Sequence, residues 1–292
     1  MDISPIVLFV YNRPWHTQQT LDALVKNELA SESTLYVFAD GSKLNATEED
    51  LKKINEVHTI IKNQTGFKEI LFIKREKNYG LADNIISGVT EVVNKYGKVI
   101  VLEDDIVTST YFLKFLNDGL NLYQNSGNVY SINSYMFPIE CKEATTFLSY
   151  LATSSWGWAT WSEKWKVYKS DINYKSVIQN NKFLKARFNF ADYDFVSILD
   201  NKNSWAIKWY YSVFIRNGLG LFTTKTLSKH IGAGEDATHV KTNFNQMELY
   251  KKPIKIELKE TIDFELNEKF LDCFTFTKLV KFRNKLINCF KL

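Results

Sequence analysis

The sequence predicts an α/β protein built on a doubly wound, largely parallel sheet. Three observations predict it. Short, unbroken apolar runs recur four times in the first hundred residues. An amphipathic segment with helical spacing follows each of the first three, and every run ends in polar residues. Strands buried on both faces read as continuous apolar runs, and their alternation with helices calls for parallel crossover connections.

Taken in order, Pro5 to Tyr11 (PIVLFVY) is the first such run and stops at Asn12-Arg13-Pro14. The spacing of Leu21, Leu24 and Val25 predicts a helix over Thr17 to Lys26. Thr34 to Ala39 (TLYVFA) is a second strand, ending at Asp40-Gly41-Ser42. Thr47 with Asp50 three positions on is close to a capping box, and Leu51, Ile54, Val57, Ile60 and Ile61 form the apolar stripe behind it. Ile70 to Lys74 is a third strand, Leu81 to Lys95 a helix, and Lys98 to Leu102 (KVIVL) a fourth strand. Beyond a helix at Tyr111 to Tyr123 and a strand at Val129 to Asn133 the pattern loses regularity. A Trp-rich stretch (Ser155 to Trp161) and a polar, helix-leaning region (Tyr174 to Asn203) lead to Ser204 to Trp209 and a Gly-containing loop at Ile231 to His239.

Composition bounds the function. The 292 residues are 45% hydrophobic and 24% charged, as in an ordinary soluble protein, and ample for a continuous core. Aromatics reach 15%, with 7 Trp, 15 Tyr and 21 Phe. They serve either a ring-rich core or a pocket for flat ligands such as nucleobases and sugar faces. A net charge of +4 gives no case for nucleic acid. Cys141, Cys273 and Cys289 form no CxxC pair, which fits a reducing compartment. The start MDISPIVLFVYNRP lacks the features of a signal peptide, and no run approaches the roughly 20 apolar residues of a membrane span. A cytoplasmic protein is expected.

Doubly wound sheets bind ligands at the carboxyl ends of their strands. Those ends carry Tyr11-Asn12-Arg13, Asp40-Gly41-Ser42, Arg75 to Asn78, and Glu103-Asp104-Asp105. Neither GxGxxG after the first strand nor GxxxxGK[ST] occurs, which disfavours a dinucleotide dehydrogenase or a P-loop enzyme. The acidic triplet is the strongest signal. Three consecutive carboxylates at the tip of a buried strand repel one another unless a cation offsets them. Hard divalent cations such as Mg²⁺ and Mn²⁺ bridge one or two carboxylates to substrate phosphates. On an extended backbone Glu103 and Asp105 point one way and Asp104 the other. Asp105 is expected to touch the metal, with Asp104 or Glu103 meeting the sugar or ribose. A solvated acidic loop is the alternative.

In order along the chain, PIVLFVYNRP, FADGS, NYGLADNI, VIVLEDD and SWGWATW resemble the GT-A-fold nucleotide-sugar glycosyltransferases. The likeness is greatest to bacterial polysaccharide and lipopolysaccharide sugar transferases related to the N-acetylglucosaminyltransferase of N-glycan branching, and it covers about residues 4 to 240. It implies a Rossmann-like, mostly parallel mixed sheet with helices on both faces over residues 1–272. Residues 1–125 would form a nucleotide-sugar-binding half and 126–272 an acceptor-binding half.

The resemblance also implies that the triplet binds Mn²⁺ or Mg²⁺ and the diphosphate of a UDP-sugar. Val10, Tyr11, Asn12 and Arg13 would meet the base and diphosphate, and Asp40 the uracil or ribose. Asn78, Gly80 and Asn84 belong to a segment covering the donor, where Gly80 permits close backbone approach and the following helix N-terminus favours an anion. Trp156 and Trp158 would shape the donor-sugar and acceptor pocket, or simply pack the core. Trp158 and Trp161, three apart, suit one helical face. His239 would contact the diphosphate or metal, or play a structural part.

The acceptor side is less complete. An inverting transfer needs a carboxylate base, and Trp205-Ala206-Ile207-Lys208-Trp209 lacks the acid that the related enzymes carry after this Trp. Asp200 is the substitute chosen from Asp194, Asp200, Glu235 and Asp236, so Asp200 and Asp104 are the catalytic candidates. A retaining mechanism would need no such base.

The tail 273–292 is basic, with Lys278, Lys281, Arg283, Lys285 and Lys291 and no acid after Asp272. Its wheel places Leu279, Phe282, Leu286 and Phe290 on one face. It suits either an anionic membrane surface, as for a lipid-linked glycan acceptor, or docking on the core. The competing functions are a sugar-nucleotidyltransferase and a catalytically inactive carbohydrate-binding scaffold. The first would need a Gly- and Lys-rich loop where Asn12-Arg13-Pro14-Trp15 stands.

Overall fold

Period-two alternation in the apolar runs decides which side chains meet which helices. The computed structural model describes residues 2–232 and 246–275. Four strands, β1 (Ile6–Val10), β2 (Thr34–Ala39), β3 (Glu69–Lys74) and β4 (Lys98–Glu103), lie parallel in the order β3-β2-β1-β4. Helices α1 (Pro14–Leu24) and α2 (Glu48–Asn63) connect the first three, and α3 (Leu81–Tyr96) returns the chain to β4 beside β1. Ile6, Leu8 and Val10 face the side that holds α1 and α2. Val7 and Phe9 face the side that holds α3.

Beyond β4 the sheet is mixed. A short strand, β5 (Ile106–Thr108), leaves it, and α4 (Phe112–Leu122) packs on the α1 side. Strands β6 (Val129–Asn133), β7 (Thr146–Ser149) and β8 (Trp158–Trp161) follow. Three short helices, α5 (Ser162–Trp165), α6 (Lys175–Asn180) and α7 (Lys182–Phe188), precede α8 (Trp205–Phe214), then β9 (Leu219–Thr223), β10 (Ser228–His230) and α9 (Phe264–Asp272). One mostly parallel mixed sheet of eight strands results, in the order β3-β2-β1-β4-β8-β6-β9-β7, while β5 and β10 form an antiparallel pair apart from it.

Local sequence explains several boundaries. Thr47 caps α2 through a full capping box with Asp50, worth about 1 kcal/mol. Gly97, at φ 78°, ends α3 in the left-handed conformation that favours glycine. Helix α1 starts at Pro14, three residues before the Thr17 expected from apolar spacing. Proline suits a first helical position because its missing N–H would have no partner there.

The pairing of Trp158 and Trp161 on a helical face is corrected: both lie in β8. An odd separation along a strand sends them to opposite faces. Trp158 joins Trp165, Trp205 and Trp209 under α3, whereas Trp161 packs on the α4 side. Phe274, at the head of the basic tail, is buried against Phe137 and Phe270. The amphipathic helix expected over 274–292 otherwise lies outside the described residues. Among those residues no helix is long and apolar enough to cross a membrane.

Candidate active site

Strand order fixes where a ligand can enter. The connection from β1 runs to β2 on one side, whereas β4 joins β1 on the other. Adjacent parallel strands with diverging connections open a crevice at their carboxyl ends. Phe9 pairs with Glu103, so the crevice is lined by Val10 to Arg13 from one strand and Glu103 to Asp105 from the other.

Burial and like charge shape the triplet. Asp104 and Asp105 are buried. Arg13, at the N-terminus of α1, donates to both, with 2.8 Å to Asp105 Oδ2. The Tyr11 backbone N–H also donates to Asp104, and the Asp104 carbonyl accepts from the Thr20 hydroxyl at 2.8 Å. Asp105 is approached by His230 Nε2 at 3.3 Å. The Ile231 N–H donates to the Asp105 carbonyl at 2.9 Å, and Gly232 sits so close that any Cβ would strike the carboxylate.

These surroundings separate three chemically similar acids. Burial and the neighbouring Asp105 and Asp104 charges push the Glu103 carboxyl up to about 8, only partly opposed by Arg13 and the Trp205 side-chain hydrogen bond. Burial raises Asp104 to about 6 against the pull of Arg13. Burial also acts to raise Asp105, but the His230 hydrogen bond and Arg13 outweigh it and hold the acid at about 2. Arg13, despite its own burial, is raised above its ordinary value by the two aspartates. Three formal negative charges thus face one guanidinium, a surplus of about two that protonation or a divalent cation can offset.

The donor set fits such a cation. Asp105 Oδ2 and His230 Nε2 are close enough to share one ion, and a carboxylate with an imidazole suits Mn²⁺ better than the all-oxygen preference of Mg²⁺. Among the described residues no group of three or more His, Cys, Asp and Glu side chains could hold a metal. Remaining positions would fall to phosphate oxygens and water. His16 lies beside this pair and bonds to the Ile231 backbone. Burial first, then Arg13, lowers its pKa.

Other expected residues gather nearby in different roles. Val10 ends β1 in the core. Asn12 donates to Asp50 at 3.2 Å, tying the crevice to the cap of α2. The Tyr11 hydroxyl is met by the Lys43 backbone and raised chiefly by burial. Asp40 organises the 78–80 loop: it accepts from Asn78 Nδ2 (3.1 Å), Tyr79 N (2.7 Å) and Gly80 N (2.9 Å). Asp40 thus holds the turn that leads into α3. Gly80 has a φ of 76°, which favours glycine, and a Cβ there would meet no other residue. Asn84 is buried and accepts from Arg75 Nε at 3.1 Å, while the Arg75 guanidinium lies over the Phe38 and Tyr79 rings.

The tryptophans divide. Trp158 is 1% exposed and stacks on Trp205 at 5.3 Å, so its ring belongs to the core behind Glu103. Trp156 stays partly exposed, with its ring 5.1 Å from the His230 imidazole. Asp200 is not brought to the crevice: its carboxylate is exposed and pairs with Lys175. His239, Glu235 and Asp236 lie outside the described residues. His230 is the residue that sequence reasoning missed. Its signal is faint, the short alternation Leu227-Ser228-Lys229-His230-Ile231 before Gly232, and only the β5–β10 pairing brings it to Asp105.

Fold and site together define an α/β protein with an acidic crevice at its topological switch point. No protein-family model and no curated protein matches the sequence. Solved structures are similar in part. Staphylococcus aureus TarS is 13% identical over 78% of this chain and 36% of its own, with a TM-score of 0.40. A mannosyltransferase from Pyrobaculum calidifontis, solved with GDP-mannose and Mn²⁺, is 12% identical over 56% of this chain and 48% of its own, at 0.31. Mouse xyloside xylosyltransferase 1 is 8% identical over 72% and 80%, at 0.37. The chain thus spans a third to a half of the first two. Likenesses at this distance carry no functional argument, which falls to the site itself.

Proposed function

We propose that the chain is a metal-dependent glycosyltransferase of GT-A type that transfers a sugar from a UDP-sugar to a growing surface glycan. The observation that carries this is the charge imbalance at the switch point. Glu103, Asp104 and Asp105 meet the Arg13 guanidinium and, at Asp105, His230, at the strand ends where a doubly wound sheet takes its ligand. A divalent ion there would offset the charge of the departing nucleoside diphosphate. Asp105 and His230 would hold the ion. Arg13, released from the carboxylates, would be within reach of the diphosphate, and Tyr11 and Asn12 flank the base. Glu103, partly exposed and bonded by Trp205, faces the sugar position.

The base role expected of Asp200 gains no support from its exposed pairing with Lys175, and the acceptor acid is left unassigned. A thermal-shift panel of nucleoside diphosphates and their sugars, with and without Mn²⁺, tests the reading. It predicts stabilisation by UDP compounds only when Mn²⁺ is present. Uniform indifference to every nucleotide would instead favour the carbohydrate-binding scaffold. The basic segment 276–292 is proposed to rest on an anionic membrane at the cytoplasmic face. Truncation after Thr275 should reduce sedimentation with anionic vesicles, and unchanged sedimentation would exclude that role.

A further inference from the structure

The Trp156-Gly157 segment, expected to shape a sugar pocket, also makes polar contacts that lead toward His230 and Asp105. Ser134 ends the β6 region and Ser228 opens β10, and both are fully buried. Their hydroxyls are 2.8 Å apart. Ser228 Oγ lies 2.6 Å from the Trp156 carbonyl, and Ser134 Oγ lies 2.7 Å from the Gly157 carbonyl. Two hydroxyl protons cannot serve all three contacts. The Gly157 carbonyl already accepts from the Ser134 backbone N–H at 3.1 Å. Ser228 donates to the Trp156 carbonyl, and the Ser134 proton serves the Gly157 carbonyl or Ser228, so the two hydroxyls tie this segment to β10.

Gly157 makes the clasp possible. Its φ is 87°, and a Cβ there would come within 2.7 Å of Ser134 Oγ and 2.8 Å of the Phe112 ring. With its carbonyl fixed, Trp156 lays its indole against His230 at 32° between planes, while Tyr135 and the indole meet edge to face at 4.6 Å. The β10 backbone is held as well, because Gln246 exchanges two hydrogen bonds with the His230 N–H and carbonyl. Backbone and ring plane are thus both set before Nε2 reaches toward Asp105.

We infer that Ser134, Ser228 and Trp156 are positioning residues that orient the His230 imidazole for a divalent cation shared with Asp105. This rests on the metal-dependent reading above and names the residues that tune its affinity. Groups that orient a metal ligand set affinity without touching the metal, typically by about 10- to 100-fold.

The test uses the full chain, with Mn²⁺ binding in the presence of UDP read from the loss of the free-ion electron paramagnetic resonance signal. Ser228→Ala should weaken Mn²⁺ about tenfold or more, and Ser134→Ala by less, because it acts through Ser228. UDP affinity at saturating Mn²⁺ should stay within about twofold. Nitrogen modulation from the bound imidazole, present in the parent, should weaken in Ser228→Ala and vanish in His230→Ala. Ser228→Thr, which keeps the hydroxyl, should restore much of the affinity. Unchanged Mn²⁺ affinity in a folded Ser228→Ala, or a lower unfolding temperature with unchanged affinity, overturns the inference and leaves the functional reading standing. If Ser228→Ala fails to fold, Ser134→Ala decides in the same way. A parent protein that binds no Mn²⁺ with UDP overturns both.

Discussion

Asp105 and Asp200 are both aspartates close to the end of a secondary element, and they mark two differently built regions. Asp105 lies where two parallel strands and an antiparallel ribbon meet, buried, with Arg13, His230 and the Ile231 backbone directed at it. Asp200 follows a short 3-10 turn in the polar 174–203 region, exposed, with one lysine beside it. A carboxylate held by several fixed donors in low dielectric has a defined geometry and a strongly shifted pKa. One exposed pair contributes little and can rearrange. The contrast teaches that the strand-end crevice is preorganised, whereas the 174–203 surface around Asp200 is not.

Four substitutions probe that contrast, in falling order of expected effect. Asp105→Ala should lower Mn²⁺-dependent UDP affinity by about 100-fold or more, measured by calorimetry, because it removes the ligand oxygen and leaves His230 without its partner. Arg13→Ala removes the cation that pairs with two buried aspartates. In chelator it should destabilise the fold by about 2–3 kcal/mol in urea unfolding, less than a fully buried pair because Arg13 is partly exposed. Excess Mn²⁺ should return part of that loss. An Arg13→Ala protein as stable as the parent would show that the triplet's surplus charge is illusory.

Glu103→Gln has the opposite sign. The folded pKa of about 8 lies above the ordinary value of about 4.5, so the fold disfavours the charged form. Stability of the parent in chelator is therefore lost as pH rises from about 4.5 to about 8. The variant lacks that slope and still accepts from Trp205. It should match the parent near pH 4.5 and exceed it by on the order of 1–2 kcal/mol at pH 8. A gap that is constant with pH contradicts the assignment. Asp200→Ala should change stability by less than about 0.5 kcal/mol and donor binding by less than about twofold. A large loss of donor binding would restore Asp200 to the site.

The same contrast explains what could be read from the chain beforehand. Strands β1 to β4, the capping box at Thr47 and Asp50, and the triplet's place after β4 are local patterns, and each was legible. The α/β class followed from them, whereas the mixed sheet was implied by the family resemblance. What escaped notice depends on contacts between distant segments. His230 meets Asp105 only because β10 pairs with β5 across more than a hundred residues. Asp40 turns inward because the 78–80 loop presents its N–H groups there. Trp158 and Trp161 carry helical spacing, yet the chain between β6 and β4 needs a strand, and β8 fills it antiparallel to both. Local spacing could not reveal that tertiary demand.

The crevice at Glu103-Asp104-Asp105 is proposed to take a nucleoside diphosphate through a divalent cation held by Asp105 and His230. Titration calorimetry of UDP into the full chain, first in chelator and then with Mn²⁺, tests it most directly. The account predicts no measurable binding in chelator, one site per chain with Mn²⁺, and loss of that site in Asp105→Ala. Equal UDP affinity with and without Mn²⁺, or an Asp105→Ala protein that binds as the parent does, would contradict it.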